Sequence, residues 1–515
     1  MTERGPSQAD ELTSMGMEMY QFIRYEGAPY AIPVTGWGQA LPLRAQGRGN
    51  GVSVRAHLIR RYHQETRKAP SQGALADAVA TLAAVAMDAP EVPVHLRMAR
   101  DPIDQAVTWW DLGRTDGQCV RIGSGEWSVE IPDMDPDKGP LWRRTRLTGE
   151  IPLPVRPADG WRPAVERLRE LLPVTDQTWP MAVAAALVGL LPDVPRPMTY
   201  FTGEQGTGKS TSARMLLRLI EGPTADLRSM PRDEDDLAVV AAAGWTLALD
   251  NASGIPAWLS DALCRIITGA TTAKRELFSD DDVALITYMR PTILTGIDVG
   301  ALRGDLAERM LRVELEPISS AARRTERSLW QAYREMLPTV LGGLVELASL
   351  VWQELPAART GLTARPRMAD FAELLWALDK VTGWDSLGTY LGEQDCLVDD
   401  VLDADPVAST LLSWARACQE AQPPGSTWAW HGSSEELLRA ITDHRGYDRV
   451  GDRWPQTGQV LLSRLTRSAP VLRKRGVEWS RWRTKHARGV DVCWTGPVLT
   501  VPAQSTQQEA FSVPA

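Results

Sequence analysis

The sequence has 515 residues, which is too long for one hydrophobic core and predicts about three domains. Hydrophobic residues make up 43% and charged residues 23%, values that exclude a fibrous, wholly disordered or membrane-spanning chain. The longest apolar run, Met181 to Leu191, is shorter than the roughly 20 residues that cross a bilayer, and the polar start lacks a signal-peptide core. We therefore expect a cytoplasmic protein. The five cysteines lie far apart, which argues against a disulfide scaffold or a zinc finger.

Local composition divides the first two thirds of the chain into successive regions. Residues 1–48 are rich in glycine, proline and polar residues, so we expect a loose N-terminus. Apolar residues recur every three or four positions over 49–90 and predict helices, whereas short alternating runs over 91–155 predict a small β-rich module. Strand and helix signals then alternate over 160–316, which is typical of a parallel sheet covered on both faces.

Two further units are predicted in the last third. Helical patterns over 317–395 predict a helical lid, and an acidic stretch then leads into a basic region over 405–500. In that region, residues 460–472 predict an amphipathic helix and residues 477–494 a two-stranded wing, so we expect a winged-helix-like domain. The tail over 501–515 is expected to be disordered.

The segment Gly203-Glu-Gln-Gly-Thr-Gly-Lys-Ser210 matches the phosphate-binding pattern G-x-x-x-x-G-K-[ST] at every fixed position. Residues 198–202 are typical of a strand entering the loop, and residues 212–220 of a helix leaving it. Backbone N–H groups and the helix N-terminus then converge on phosphates, Lys209 reaches the β- and γ-phosphates, and Ser210 binds Mg²⁺. The sequence therefore predicts that ATP and Mg²⁺ are bound by Gly203, Gln205, Gly206, Thr207, Gly208, Lys209, Ser210 and Thr211.

A buried-strand pattern that ends in Asp250 follows the loop, as expected for a carboxylate that organises Mg²⁺. The next residue, Asn251, orients water but cannot accept its proton, so hydrolysis is slow or uses another base such as those over 280–282. The chain between loop and Asp250 has room for one extra strand over 225–230, which favours the additional-strand class of P-loop proteins. A later apolar run ends in Thr295, where that class places a γ-phosphate sensor. The alternative for Thr295 is an ordinary buried strand and turn.

Taken in order, these motifs resemble the ATPase of actinobacterial phage and integrative-element replication proteins, related to superfamily III helicases and poxvirus-type helicase-primases within the AAA+ group. The ordered set is GEQGTGKS, LALDN, LSDALCRIITGA, RELFSDDD, RPTILTGID, RGDLAERM and PRMADF. The resemblance implies a homo-oligomeric, hexameric ring in which a neighbour's arginine completes each ATP site. The matching residue is Arg309, with Arg303 as the second candidate. The alternative for Arg309 is a helical salt bridge to Asp305, four residues earlier.

A hairpin is predicted from Lys274 to Met289, at the place of the DNA-contacting hairpin in superfamily III enzymes. Its tip, Asp280 to Asp282, is acidic and repels phosphate. Any DNA contact at this hairpin therefore falls to Lys274 and Arg275, which we place at the hairpin base, or there is none.

Positive charge is concentrated near the C-terminus. The formal net charge is -9, yet twelve basic and three acidic residues lie between Arg445 and Arg488. Such a run is usually a solvated face, but in an otherwise acidic chain it repels itself unless phosphates relieve it. The window therefore predicts DNA binding by Arg464, Arg467, Arg473, Lys474, Arg475, Arg481 and Arg483.

Together these features predict an α/β protein with a P-loop additional-strand, AAA+-like parallel-sheet core. An N-terminal α+β region, a helical lid and a C-terminal winged-helix-like domain complete the predicted architecture. The predicted function is that of an ATP-dependent DNA translocase or helicase in the replication machinery of a mobile element, with DNA and other replication proteins as partners. Two alternatives are a nucleotide-switched DNA-binding protein with vestigial hydrolysis and a small-molecule kinase. The kinase is disfavoured because no acceptor pocket is visible.

Overall fold

The computed structural model describes residues 7–44, 53–252, 254–269, 271–275, 283–287, 289–296, 304–363, 365–446, 454–483 and 488–496. The largest hydrophobic core runs from Met98 to Leu397 and surrounds a parallel β-sheet. Separate cores lie in the N-terminal and C-terminal regions. The protein therefore has a mixed α/β fold with a parallel sheet, as predicted.

The N-terminal region consists of an antiparallel sheet packed on helices. Its elements are α1 (Gln8–Met19), β1 (Tyr20–Tyr25), β2 (Ala28–Pro33), β3 (Leu41–Pro42), α2 (Val54–Thr66) and α3 (Gln72–Met87). The prediction of a loose N-terminus over 1–48 is therefore wrong for residues 7–44. Two local signals in the sequence explain why this segment forms regular structure. Ser7 and Asp10 form a capping box at the start of α1, and Glu26-Gly27, both with positive φ, make the tight turn from β1 to β2.

A small β-sheet follows, where the β-rich module is predicted. Its strands are β4 (Val94–His95), β5 (Met98–Arg100), β6 (Thr108–Asp111), β7 (Cys119–Ile122), β8 (Trp127–Glu130) and β9 (Leu141–Trp142). Strands β5 to β8 pair in chain order, while β4 pairs in parallel with β9. Trp110 is fully buried in the largest core, and its indole N–H donates to the Ile220 carbonyl at 3.3 Å. The module is thus joined to the central region by a shared core.

The central region contains the parallel sheet and the helices around it. Its elements are α4 (Trp161–Glu166), α5 (Trp179–Gly189), β10 (Met198–Thr202), α6 (Lys209–Glu221), α7 (Glu234–Ala243), β11 (Leu247–Ala252), α8 (Ala257–Thr268), β12 (Thr271–Arg275), β13 (Val283–Thr287), β14 (Thr292–Gly296), α9 (Gly304–Ala307) and β15 (Met310–Glu314). The strand order of the sheet is β11-β14-β10-β15. Strand β14 therefore lies between the strand that enters the phosphate loop and the strand that carries Asp250. The extra strand predicted over 225–230 is only a single bridge, in which Arg228 pairs with Leu249.

Helices follow the sheet, in the range of the predicted lid: α10 (Glu326–Gly361), α11 (Ala369–Thr382) and α12 (Ser386–Ala404). Among the described helices, α10 alone is long and apolar enough to cross a membrane, and 72% of its apolar window is buried inside the protein. It packs closely against α11 and α4. Such burial is typical of a core helix.

The C-terminal region has its own core and comprises α13 (Pro406–Glu420), β16 (Ala429–Gly432), α14 (Ser434–Arg445), α15 (Gly458–Lys474), β17 (Val477–Arg483) and β18 (Arg488–Trp494). Helix α15 and the antiparallel pair β17 and β18 confirm the helix and the two strands predicted over 460–494. Strand β16, which pairs with β18, was not predicted. The tail predicted over 501–515 lies outside the described residues.

Candidate nucleotide-binding site

The loop between β10 and α6 has a backbone shape that depends on glycine. Gly203 and Gly208 have φ angles of 144° and 82°, which L side chains rarely adopt. A Cβ atom on Gly203 would lie 2.8 Å from the Leu315 carbonyl oxygen, so a larger residue does not fit there. The buried Thr207 side chain closes the loop, because its hydroxyl donates to the Glu204 carbonyl at 3.0 Å. The loop backbone is thereby held against the start of α6.

Lys209 is the first residue of α6, and its ammonium group folds back over the loop. Its Nζ donates to the carbonyl oxygens of Gly203 at 2.8 Å and Glu204 at 2.7 Å. A phosphate oxygen can replace these acceptors, since both belong to a loop that is open to solvent. The first N–H groups of α6 lack helical partners and lie at the positive end of the helix dipole, which favours an anion. The remaining predicted loop residues are exposed or half-buried: Gln205, Gly206, Ser210 and Thr211.

Asp250 lies near the carboxyl end of β11 and accepts hydrogen bonds from two hydroxyl groups. Ser210 Oγ donates to Asp250 Oδ1 at 2.8 Å, and Thr295 Oγ1 donates to the same oxygen at 2.5 Å. Because β14 pairs directly with β11, Thr295 at the end of β14 is beside Asp250. The structure therefore brings together three residues that the sequence analysis related to Mg²⁺ and the γ-phosphate.

These groups fit a magnesium-bound nucleotide. Mg²⁺ is usually bound through one or two protein oxygens together with substrate phosphates, and Ser210 and Asp250 offer a hydroxyl and a carboxylate that already share a hydrogen bond. The Lys209 ammonium lies against the loop carbonyls and can supply a positive charge for the phosphates. The donor set thus matches both parts of such a ligand.

Asn251 follows Asp250 in a left-handed conformation. Its φ angle is 55°, which asparagine tolerates better than most residues, and the pairing of β11 with β14 is irregular between Leu249 and Ala252. The Asn251 backbone N–H donates to Thr295 Oγ1 at 2.9 Å, while the residue as a whole is exposed. The irregular end of β11 therefore leaves the side-chain amide of Asn251 accessible to water.

Arg309 makes its contacts within its own chain. Its Nη1 pairs with Asp305 Oδ2 at 2.5 Å and lies 3.4 Å from Cys264 Sγ, and 13% of the side chain is exposed. Burial raises the pKa of the Cys264 thiol to about 12, so this sulfur is neutral. The structure thus shows the salt bridge that was the alternative for Arg309 and favours a structural role. Arg303 lies outside the described residues.

The predicted hairpin is present as the antiparallel pair β12 and β13. Lys274 pairs with Ala284 and Arg275 with Val283, at the end of the hairpin nearest the turn. Their predicted place at the hairpin base is therefore wrong, because β12 begins before them at Thr271 and ends at Arg275. The acidic tip lies outside the described residues, and DNA contact by the two basic residues stays a prediction.

Most of the basic residues predicted to bind DNA in the C-terminal region face solvent. Arg467, Arg481 and Arg483 are exposed, and Arg464 is half-buried. Arg473 is 63% exposed, with its Nε 3.5 Å from Glu478 Oε1. These residues, on α15 and β17, keep the accessibility that phosphate contacts need.

Lys474 and Arg475 are instead bound to the helices that precede their own region. Lys474 Nζ lies 3.4 Å from Glu308 Oε1, just after α9, and Arg475 Nε lies 2.6 Å from Asp399 Oδ1 of α12. Arg475 Nη2 also donates to the Asp395 carbonyl at 2.9 Å. In the structure both cations already have partners within the protein, and their contact with DNA stays a prediction. The count of charges between Arg445 and Arg488 could not reveal these ion pairs, because the acidic partners are distant in sequence.

A buried ion pair that the sequence did not reveal lies at the other end of α6. Arg97, between β4 and β5, has its Nε 3.5 Å from Glu221 Oε2, and the two side chains are 1% and 4% exposed. Arg97 Nη1 donates to the Asp111 carbonyl at 2.8 Å, and Nη2 donates to the carbonyls of Gly149, at 3.0 Å, and Glu221. A cation at a helix C-terminus faces the negative end of the dipole. Arg97 therefore stabilises the helix whose first turn forms the phosphate site.

Fold and site together define the class: a mixed α/β protein in which a P-loop sequence joins a parallel strand to a helix. The sequence matches the family model of the actinomycete integrative conjugative element replication protein over residues 166–400. It also matches the C-terminal domain of the same replication protein family, AICE RepA, over residues 407–495. The two matches cover more than half of the chain, which belongs to this family of replication proteins. The resemblance drawn from the motifs is thereby confirmed.

Several helicase structures show a distant likeness. The SCCmec type IV Cch active helicase is 11% identical, with 92% of this chain and 93% of that chain covered and a TM-score of 0.46. The apo C-terminal region of NrS-1 is 12% identical, with 95% of this chain and 100% of that chain covered and a TM-score of 0.38. The JCV helicase is 16% identical, with 47% of this chain and 71% of that chain covered and a TM-score of 0.20. Such likenesses are too distant to carry an argument about activity. No curated protein matches the sequence.

Proposed function

We propose that this replication protein binds ATP and hydrolyses it to move along, or to unwind, the DNA of a conjugative element. The observation that most supports the proposal is the meeting of Ser210, Asp250 and Thr295 at one carboxylate oxygen beside the phosphate-binding loop. The three residues come from a helix and two strands at the carboxyl edge of a parallel sheet. Ligands of open α/β sheets bind at this edge.

Each side chain then has a distinct task. Lys209 exchanges its loop carbonyl acceptors for oxygens of the β- and γ-phosphates, which the first N–H groups of α6 also bind. Ser210 and Asp250 hold Mg²⁺, which neutralises charge on the phosphate oxygens when it is bound. Thr295 reports the γ-phosphate, because its hydroxyl can turn from Asp250 towards a phosphate oxygen. Nucleotide binding is thereby linked to the position of β14.

Asn251 affects the expected rate of ATP hydrolysis. Its exposed amide orients the attacking water but does not accept a proton, so we propose slow basal hydrolysis that rises when DNA binds. The same residue supports the second candidate function, a nucleotide-switched DNA-binding protein in which hydrolysis is vestigial. The two functions differ in turnover and not in ATP binding.

We further propose a homo-oligomeric ring in which a neighbour completes each site. Arg303 is the better candidate for the completing arginine, because Arg309 is held by Asp305 and Cys264. In the C-terminal region, the proposed DNA contacts are the exposed arginines of α15 and β17, namely Arg467, Arg473, Arg481 and Arg483. Other replication proteins are proposed as further partners.

ATP turnover of the purified full chain, with and without single-stranded DNA, tests the proposal. We expect DNA to raise turnover several-fold, since a motor couples hydrolysis to its track. Asp250→Asn is the matched control, because the amide keeps the shape of the carboxylate but lacks the charge that holds Mg²⁺. This variant should lose the turnover that DNA stimulates. Tight ATP binding with negligible turnover in both conditions would identify a switch, and phosphoryl transfer to a small acceptor would identify a kinase.

A further inference from the structure

An open cleft lined by arginines lies between α6 and the first turns of α10. Its volume is about 570 Å³, and Arg214 and Arg218 of α6 face Arg327 and Arg334 of α10 across it. Two acidic residues, Asp226 and Glu326, also line the cleft. Cations therefore outnumber anions two to one, in a protein whose formal net charge is negative.

The two arginines on α6 are held in place. Arg214 Nε lies 2.6 Å from Asp226 Oδ1, and Arg218 Nη2 lies 3.8 Å from Asp226 Oδ2. The Arg218 guanidinium also stacks over the Trp330 ring, 4.5 Å from its centroid. One half-exposed carboxylate thus serves two guanidinium groups, which leaves them capacity for a further anion.

The arginines on α10 have no such partners. Arg327 and Arg334 are exposed, and neither has an ion-pair partner within the described part of the chain. They are seven residues apart, which places them on one face of α10 and about 10 Å apart along its axis. Trp330 lies between them. An extended row of cations with an aromatic ring between them suits a chain of phosphates better than a single small anion.

The two helices that line the cleft are linked by a hydrogen bond. The Tyr333 hydroxyl of α10 donates to the Met215 carbonyl of α6 at 2.9 Å, which ties the two helices together. Arginines beside an aromatic ring are typical of single-strand binding, because the backbone of the strand lies along the cations while its unstacked bases stack on the ring. We infer that this cleft binds the phosphate backbone of single-stranded DNA. The inference rests on the proposed function, for which it names a route by which DNA reaches the ATPase.

Its position gives the cleft a direct link to the phosphate site. Helix α6 begins with Lys209 and Ser210, and Arg214 and Arg218 follow about one and two turns later on the same helix. The far end of α6 is fixed by Arg97. DNA bound in the cleft therefore acts on a rigid element whose first turn contacts the nucleotide.

Binding of a fluorescent oligothymidine to the full chain, followed by anisotropy at several salt concentrations, tests the inference. The double variant Arg327→Glu/Arg334→Glu should bind about tenfold or more weakly. Its log–log salt slope should flatten by about 1.4, because each phosphate contact on a single strand contributes about 0.7. Arg327→Lys/Arg334→Lys should keep most of the slope, since an ammonium also neutralises a phosphate.

Arg60→Glu/Arg61→Glu is the matched control, because both residues are exposed on α2 and the net charge changes equally. It should leave the slope unchanged. Equal affinity and slope in wild type and the α10 variant would overturn the inference. So would an α10 variant that loses only binding of an acidic peptide, of inorganic phosphate or of duplex DNA. Turnover by wild-type protein without DNA tests the P-loop separately, so failure of the proposed function remains distinguishable.

Discussion

Replacing Lys209 with alanine is expected to lower ATP turnover at least about a hundredfold, because its ammonium is the side-chain cation aimed at the phosphates from within the loop. Among the described residues, the partners of its Nζ are the backbone carbonyls of Gly203 and Glu204. The group is therefore free to exchange these for phosphate oxygens. Phosphate release by the purified variant, at saturating ATP and Mg²⁺, measures the loss.

Glu204→Ala is the matched control for that variant. Glu204 is exposed in the same loop, and its side chain is not at a fixed position of the motif. Its replacement should change turnover little, since the contacts to Lys209 and Thr207 use its carbonyl oxygen. Near wild-type turnover in the Lys209 variant would mean that the nucleotide site lies elsewhere.

Replacing Arg97 with methionine is expected to lower the free energy of unfolding by about 3–5 kcal/mol. The substitution leaves the Glu221 carboxylate buried without its cation, and the carbonyls of Asp111, Gly149 and Glu221 lose their donor. Chemical denaturation followed by tryptophan fluorescence measures the change, because Trp110 packs in the same core and contacts the end of α6. ATP affinity should fall as well, since α6 is held less firmly at its far end.

A second variant distinguishes the effect of leaving Glu221 unpaired from the effect of losing the Arg97 side chain itself. Arg97→Met/Glu221→Leu should recover the part of the stability lost by burying an unpaired Glu221 carboxylate, while the three carbonyls still lack their donor. Arg121→Met is the control on the same module, where the ion pair with Glu126 is partly exposed and long at 3.9 Å. It should cost less than about 1 kcal/mol. A loss of similar size at both positions would contradict the special role of Arg97.

The parts of the site that were predictable are those with local signals. A contiguous glycine-rich motif marks the loop, and Asp250 and Thr295 end apolar runs that predict strands, which the structure pairs side by side. Contacts between distant residues have no such signal. Arg97 and Glu221 belong to separate modules, so the sequence alone gives no reason to pair them. The arginine cleft was missed for the same reason, because α6 and α10 are far apart in the chain.

The prediction for the N-terminal segment was wrong because it relied on overall composition and not on the positions of the residues. The N-terminal glycines and prolines predict a loose segment, yet Gly27 serves a tight turn and the residues around it alternate as strands. A charge count likewise treats every cation as free. Position-specific signals, such as the capping box at Ser7, were the better guide to order in this region.

If DNA binds Lys474 and Arg475 as predicted, it competes with carboxylates for the same cations. While Glu308 and Asp399 hold them, these two side chains cannot neutralise phosphates. DNA that recruits them must first detach the end of α15 from α9 and α12, and its apparent affinity falls by the free energy of that detachment. Within the described part of the chain, release would leave Glu308, which precedes Arg309, with Arg367 as its remaining cationic partner. Under the proposed function, DNA bound to the C-terminal region would thereby alter the contacts at the edge of the nucleotide-binding core.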